Sequence, residues 1–152
     1  MKKEKLILVA IDFSKCSIKA LEYAICFANE MNSNILMVYV DKPQSTESVY
    51  SRRGSEYMEK INKLFEKTIK KYQSQLKGKL DYKIRKGKVY VEICNQAKYS
   101  DAQIIVAGTH GVSGFEEFWI GSNAYKIVTY ATCPVITIRE SFIWNHKHIK
   151  KI

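Results

Sequence analysis

The segment AQIIVAGTHGVSGFEEFWIGSNAYKIV, residues 102–128, joins an apolar run to an amphipathic run through a glycine-rich stretch. Four of the seven glycines of the chain lie here, at positions 108, 111, 114 and 121. A long irregular loop is one explanation. The other is a pocket in which the main chain approaches an anionic group, because glycine adopts left-handed angles and has no Cβ to obstruct the approach.

The rest of the chain alternates in the same way between apolar runs of strand length and amphipathic segments. The pattern predicts strands at 5–12, 33–41, 80–87, 102–108 and 133–140, and helices at 14–29, 57–76, 89–99 and 122–130. Ser14 is expected to cap the first helix, and Gly78 to end the second. The polar residues 41–55, which include Pro43 and Gly54, are expected to form a loop.

This alternation predicts an α/β fold: a doubly wound, five-stranded parallel sheet with strand order 3-2-1-4-5 and helices on both faces. The domain is expected to span residues 1–140, and residues 141–152 to form a basic C-terminal tail. Ligands of such sheets bind beyond the carboxyl ends of the strands, where the strand order reverses. The sequence has neither a GxxxxGK[ST] loop nor a GxGxxG motif after the first strand, which argues against two common nucleotide-binding loops.

Composition limits the possible partners and the compartment. The net charge of +10 favours anionic ligands, but the lysines are dispersed, so we expect no specific nucleic-acid partner. No apolar run approaches the length of a membrane span, and no membrane partner is expected. The four cysteines have no CxxC spacing, which is typical of free thiols in a reducing, cytoplasmic compartment. We expect no metal site, although His146 and His148 lie close together in the tail.

The start of the fourth predicted helix is the strongest candidate for an anion site. Gly121 and Ser122 precede its first turn, where free N–H groups and the helix dipole favour a phosphate. The alternative is structural, with Ser122 serving only as the N-cap and the glycines only forming turns. The residues alone leave both possibilities open.

The spacing Gly-x2-Gly-x9-Gly-Ser after the fourth strand resembles the nucleotide-binding signature of the universal stress protein (UspA-like) family. Further segments are similar to the same family: ILVAIDFS, ILMVYVD, GKVYVEICNQA and CPVITI. The resemblance covers nearly the whole chain. It implies an adenine-nucleotide (ATP) binding stress-response protein, with or without Mg²⁺, that acts as a nucleotide-dependent regulatory or protective module. The alternative is a scaffold that binds no nucleotide and acts through protein–protein contacts.

The resemblance also implies which residues contact the base and the ribose. Asp12 matches the family acid near the ribose and adenine, with capping of the following helix as its alternative role. Ala10 and Ile11 match main-chain and apolar contacts to adenine. Val40 matches a residue that lines the base pocket, and it also fits a core strand.

A second set of residues is implied at the phosphates. The family's ribose and phosphate segment is matched by Gly108, His110 and Gly111. The start of its phosphate-binding helix is matched by Gly121, Ser122 and Asn123. A solvated loop histidine is the alternative for His110. The apolar residues of the intervening loop, Phe115, Phe118, Trp119 and Ile120, are expected to pack over the helix beneath them, with a lid over the nucleotide or a partner surface as the alternative.

Efficient ATP hydrolysis is not expected, because no lysine lies in the glycine loop and no second carboxylate is evident near Asp12. A homodimer through strand five is expected. Val135–Ile138 form an apolar run at the edge of the predicted sheet, and such an edge must be covered or paired. Arg139 and Glu140 would then face their opposites in the partner. The alternative is that the tail covers this edge.

Overall fold

The computed structural model describes residues 3–43, 52–110 and 120–140, which form one sheet with helices on both faces. The strands are β1 (Leu6–Ala10), β2 (Asn34–Asp41), β3 (Leu80–Lys86), β4 (Ile104–Gly108) and β5 (Val135–Ile138). The helices are α1 (Lys15–Met31), α2 (Arg52–Tyr72), α3 (Val89–Tyr99) and α4 (Ser122–Tyr130), with a short 3₁₀ turn at Gln73–Gln75.

The sheet has the order β3-β2-β1-β4-β5, and every pairing in it is parallel. The predicted fold class and strand order are therefore confirmed. At the centre, Val9 of β1 pairs with Met37 of β2 on one side and with Val106 of β4 on the other. The strand order reverses between β1 and β4, so the crevice for a ligand is expected beyond their carboxyl ends.

Each face of the sheet has its own apolar core, because successive side chains of a strand point to opposite faces. Ile7 and Val9 point into the core beneath α1 and α2. Leu8, between them, points into the second core, together with Ile93 of α3 and Ile127 of α4. Both faces are thus sealed from water, which explains why the strands are continuously apolar rather than alternating.

Helix α1 begins as the sequence predicts. Ser14 is its N-cap, and the Ser14 hydroxyl accepts a hydrogen bond from the Ser17 amide (3.2 Å). The helix ends at Asn32, which adopts a left-handed conformation with φ of 53°. The buried face consists of small and branched residues three or four apart, among them Ala20, Leu21, Ala24, Ile25 and Ala28.

The predicted bounds of α2 were wrong at both ends. The helix begins at Arg52, inside the predicted loop, and contains Gly54. The first apolar residue of α2 that packs on the core is Met58, so an apolar pattern does not reveal the turns before it. Gly78 does not end the helix, which stops at Tyr72. A Cβ at Gly78 would lie 2.6 Å from the Ser33 carbonyl oxygen, so this glycine permits two backbones to approach closely.

Several sequence expectations concern residues outside the described ranges, namely the basic tail at 141–152 and the loop residues Phe115, Phe118 and Trp119. Ile120 is described and is half-exposed. In the described ranges, no helix is both long enough and apolar enough to cross a bilayer. None of the four cysteines, all of which lie in the described ranges, forms a disulfide.

Phe65 should be a major source of the stability of the α2 face. It is fully buried, stacked on Tyr82 with ring centroids 4.2 Å apart, and meets Phe13 edge-on at 4.9 Å. We expect Phe65→Ala to lower the free energy of unfolding by about 3–5 kcal/mol, measured by urea denaturation. Leu64→Ala is the control, because Leu64 is 41% exposed, and it should cost less than about 1 kcal/mol. Equal losses for the two variants would contradict this assignment.

Candidate functional site

A cavity of about 470 Å³ lies beyond the carboxyl ends of β1, β2 and β4. The first turns of α3 and α4 form part of its wall, through Val89 and Ser122. It therefore lies where the reversal of strand order opens a crevice, as in other doubly wound sheets. Its volume falls in the range of small-molecule sites, roughly 300–1,000 Å³.

One wall of the cavity is an apolar slot. Val38 and Val40 of β2 line it from one side, and Ile93 of α3 and Ile127 of α4 line it from above the sheet. Ala10, at the end of β1, lies between them. An apolar group of a ligand would contact these branched side chains and displace water from them, which is favourable.

Asp12 lies at the end of β1 and is oriented by the turn that leads into α1. Asp12 Oδ1 accepts a hydrogen bond from the Ser14 amide (2.9 Å), and the Asp12 amide donates to the Ser17 hydroxyl (3.3 Å). Phe13 has a φ of 62°, and its ring packs against Phe65. The carboxylate thus caps the turn, as the alternative role predicted, and it also lines the cavity.

Gly108, the last residue of β4, is required by packing as well as by its place in the cavity. A Cβ here would lie 2.9 Å from Cys16 Sγ and 3.0 Å from the Cys16 carbonyl carbon. The buried Cys16 thiol donates to the carbonyl oxygen of Ile138 (3.0 Å). A side chain at position 108 would therefore push α1 away from β4 and β5.

Thr109 joins three parts of the structure. Its amide donates to the Ile138 carbonyl oxygen of β5 (2.9 Å), and its own carbonyl oxygen accepts from the Gly121 amide (2.7 Å). Its hydroxyl lies 3.0 Å from His110 Nδ1. Thr109 was not among the predicted site residues, although its position between two of them, Gly108 and His110, could have identified it.

The N-terminus of α4 opens onto the cavity. Gly121 is its N-cap, with φ −58° and ψ 155°, and no side chain caps the helix. The predicted alternative, with Ser122 as the N-cap, is therefore wrong. Because the Gly121 amide is bonded to Thr109, the amides that open the first turn are those of Ser122, Asn123 and Ala124. These three residues line the cavity.

His110 lies directly beside this helix start. Its Cα is 3.7 Å from the position that a Cβ at Gly121 would occupy. Its Nε2 atom is buried and has no hydrogen-bond partner among the described residues. Gly111, the next predicted site residue, lies outside the described ranges.

The cavity also extends around the end of β2 to residues that were not among the predicted site residues: Tyr39, Asp41, Lys42 and Tyr57. Tyr39 and Val40 are adjacent on the strand and point to opposite faces, yet both line the cavity. The Tyr39 hydroxyl is hydrogen-bonded to that of Tyr57. Burial raises the pKa of Tyr39, and the Tyr57 phenol raises it further, so Tyr39 remains a neutral donor and acceptor. Tyr57 belongs to a helix remote in sequence, and no local signal identifies it.

Asp41 and Lys42 follow Val40 and line the same cavity. The expectation that no second carboxylate lies near Asp12 therefore needs correction, since Asp41 shares the cavity. Both Asp12 and Asp41 contribute to raising the pKa of Tyr39. The position of Asp41 at the carboxyl end of a predicted strand is a signal that would have identified it.

Eight of the ten predicted site residues line the cavity, namely Ala10, Ile11, Asp12, Val40, Gly108, Gly121, Ser122 and Asn123. The ninth, His110, is not a lining residue but contacts the hydroxyl of Thr109, which is, and the tenth, Gly111, lies outside the described ranges. Over the described ranges, no cluster of three or more His, Cys, Asp or Glu side chains could hold a metal ion.

Comparison with known proteins identifies a family and several relatives that this chain resembles. The sequence model of the universal stress protein family matches residues 4–139. Universal stress protein YxiE of Bacillus subtilis is 28% identical over 144 residues, covering 87% of this chain and 97% of the relative. Universal stress protein MJ0531 of Methanocaldococcus jannaschii is 26% identical over 140 residues, covering 90% of this chain and 82% of the relative.

Solved structures show the same fold. Universal stress protein UspA from Lactobacillus plantarum superposes with a TM-score of 0.80 at 22% identity, covering 91% of this chain and all of the other (100%). A universal stress protein in complex with cAMP gives 0.72 at 17% identity, with 90% and 98% covered. The universal stress protein from Archaeoglobus fulgidus in complex with dAMP gives 0.69 at 17% identity, with 91% and 99% covered.

Proposed function

This chain belongs to the universal stress protein family, and from that membership we propose that it binds an adenine nucleotide, ATP, in the cavity beyond β1, β2 and β4. In this proposal the nucleotide controls a regulatory or protective module of the stress response in the cytoplasm. The observation that carries the proposal is a single cavity edge that combines an apolar slot, a carboxylate and an open helix N-terminus. Two proteins of the same fold are complexes with cAMP and dAMP, which supports an adenine nucleotide here.

The adenine ring is assigned to the apolar slot. Val40 and Ile127 would contact its faces, and the main chain at Ala10 and Ile11 would contact its edge. The Ile11 amide donates to the Val38 carbonyl oxygen (3.0 Å), so this segment is held rigidly for contact with a ligand. Asp12 would accept hydrogen bonds from ribose hydroxyls, for which a carboxylate is a strong acceptor.

The phosphates are assigned to the start of α4. The amides of Ser122, Asn123 and Ala124 have no acceptor within their own helix, and the helix dipole favours an anion there. The Ser122 hydroxyl is exposed and adds a donor. Mg²⁺, if it accompanies ATP, would be held by phosphate oxygens, water and one or two carboxylates, which is its usual mode of binding.

Ser122→Pro tests this phosphate assignment. Proline removes the amide donor and the hydroxyl together, yet it is well tolerated at the first position of a helix. Gly121, with ψ of 155°, already has the extended conformation that a residue before proline requires. We expect the variant to fold and to bind ATP at least tenfold more weakly by titration calorimetry, since it lacks hydrogen bonds to a charged group.

Lys15→Pro is the matched control. Lys15 is the exposed first residue of α1, its N-cap Ser14 has ψ of 158°, and it is not among the residues that line the cavity. This variant should retain the affinity of the wild type. Equal affinity of both variants would contradict the phosphate assignment. A wild-type protein that binds no ATP would favour the alternative of a scaffold that acts through protein–protein contacts.

Hydrolysis is proposed to be slow at most. Asp41 and Lys42 belong to the end of β2, whereas α4 follows β4, and β1 lies between the two strands. With strands about 4.8 Å apart, the β2 end lies on the order of 10 Å from the β4 end. We therefore expect turnover with Mg²⁺ far below the typical enzyme value of about 10 s⁻¹ in a multiple-turnover phosphate-release assay. A rate near that value would contradict this proposal.

We also propose a homodimer through β5. This strand lies at the edge of the sheet, and Val135, Ile136 and Thr137 are only partly buried. Tyr125 and Val128 of α4 are 62% and 50% exposed. At 100° per residue they lie on the side of α4 away from Lys126, which contacts Tyr90 of α3. These exposed apolar residues lie on the helix that directly precedes β5, which supports a partner surface at this edge of the sheet.

The hydrogen bonds of β5 show which residues face the open edge. The carbonyl oxygen atoms of Pro134 and Ile138 accept from Ile105 and Thr109, so the even-numbered residues of β5 face β4. By alternation, the amides of Val135 and Thr137 point outward. A proline at Ile136 would therefore damage the sheet of the monomer, whereas a proline at Thr137 would remove only an outward amide.

Thr137→Pro should shift the protein from a dimer to a monomer in analytical ultracentrifugation at micromolar concentration. The wild type is expected to sediment as a dimer, and Thr137→Val, which retains the amide, should do so as well. The proline blocks a strand pairing that depends on main-chain donors. A monomeric wild type, or a Thr137→Pro variant that remains a dimer, would contradict the proposed interface.

A further inference from the structure

His110 and Thr109 form a pair that the proposed function leaves partly unexplained. His110 Nδ1 lies 3.0 Å from the Thr109 hydroxyl oxygen. Its other ring nitrogen, Nε2, is buried without a hydrogen-bond partner among the described residues. A buried polar atom without a partner is costly, and it is a place where a ligand atom is expected. The protonation of Nε2 decides which kind of ligand atom it accepts.

The neighbouring thiol limits the ways in which the Thr109 hydroxyl can form hydrogen bonds. Cys16 Sγ lies 3.0 Å from the Ile138 carbonyl oxygen, which can only accept, so the single thiol hydrogen points there. Sγ is also 3.8 Å from the Thr109 hydroxyl, and towards that group it can act only as an acceptor. The Thr109 hydrogen can therefore point to the distant sulfur, which leaves Nδ1–H to donate to the hydroxyl, or to a close Nδ1 that carries no hydrogen. Sulfur is a weak acceptor and 3.8 Å is a long contact, so donation to His110 Nδ1 is the favoured arrangement.

We propose that Thr109 is a positioning residue that holds His110 in its neutral Nε2–H tautomer and aims this N–H at a phosphate oxygen of the bound nucleotide. This inference rests on the proposed function. A neutral imidazole carries one ring hydrogen, so a hydrogen bond accepted at Nδ1 places that hydrogen on Nε2. The opposite tautomer would present a bare nitrogen lone pair, which repels an anion.

The position of His110 suits this role. Its backbone passes beside Gly121, and the amides of α4 open from the next residues. Thr109 is itself fixed at both ends of its main chain, by Ile138 of β5 and by Gly121. The main chain of Thr109 is therefore held rigidly. Its hydroxyl group starts from a fixed position and orients the imidazole ring of His110. One side-chain donor is thereby added to the main-chain amides of the helix start.

The first test needs no ligand. Nitrogen-15 spectra of protein labelled at histidine, recorded at pH 8.5 where an ordinary imidazole is neutral, report which ring nitrogen carries the hydrogen. Comparison with His110→Gln assigns the signals among the three histidines of the chain. We expect a protonated Nε2 and a hydrogen-bonded, unprotonated Nδ1 in the wild type. Thr109→Val should lose the Nδ1 hydrogen-bond signature, and Thr109→Ser should restore it.

The second test is a double-mutant cycle on ATP affinity. Thr109→Val should weaken binding about tenfold, as expected for a lost hydrogen bond to a charged group. In a His110→Ala background the same change should have almost no effect, because Thr109 acts through the ring. Thr129→Val is the matched control: this hydroxyl bonds the Tyr125 carbonyl oxygen on the exposed side of α4. It should leave ATP affinity unchanged.

Two results would overturn the inference: an unprotonated Nε2 in the wild type, or a Thr109→Val cost that is the same with and without His110. A purely structural role of Thr109 gives the second result, because its cost would not depend on the ring. A wild type that binds no ATP but shows the expected tautomer would overturn the proposed function and support the Thr109–His110 pairing. The two proposals therefore fail by different observations.

Discussion

Both faces of a parallel sheet must be covered by helices, and the position of the cavity depends on this constraint. The chain covers one face with α1 and α2 while it adds β2 and β3 on one side of β1. To cover the other face it must return and add β4 and β5 on the opposite side. The chain leaves β1 towards one face of the sheet and leaves β4 towards the other, so a crevice opens at the carboxyl ends of these two strands. The cavity of about 470 Å³ occupies that crevice.

The glycines around the cavity are required for the packing of the protein itself. Gly108 permits Cys16 of α1 to pack against the end of β4, and Gly121 permits its amide to bond the Thr109 carbonyl oxygen. These contacts bring the start of α4 back to the edge of the sheet. The amides that remain open are those that follow Gly121, so the glycine spacing determines where the open start of α4 lies.

The cavity joins regions of different chemical character. Branched side chains line the α3–α4 side, whereas the phenols of Tyr39 and Tyr57 and the charged groups of Asp41 and Lys42 lie around the end of β2. Burial keeps the Tyr39 phenol neutral by raising its pKa. A ligand with an apolar ring and polar substituents suits this arrangement. The net charge of +10 adds a general attraction for anions, which does not by itself select one.

The sequence alone predicted the layers and the strand order. Buried strands are continuous apolar runs, so their ends can be located in the sequence, and the family resemblance assigned Asp12 and Val40 to the ends at which the cavity lies. The glycine spacing likewise located Gly121 and Ser122. Each of these predictions rests on a pattern among residues close together in the sequence, and such a pattern can be recognised without the tertiary structure.

Only the tertiary structure decided which groups meet across long separations. Tyr57 reaches Tyr39 from another element, and Cys16 lies against Gly108 and Ile138 although about a hundred residues lie between them. The N-cap role of Gly121, the early start of α2 and the close approach at Gly78 were likewise invisible in the pattern. Each depends on where a neighbouring backbone lies, and periodicity carries no information about that distance. Packing therefore decided the geometry that the sequence left open.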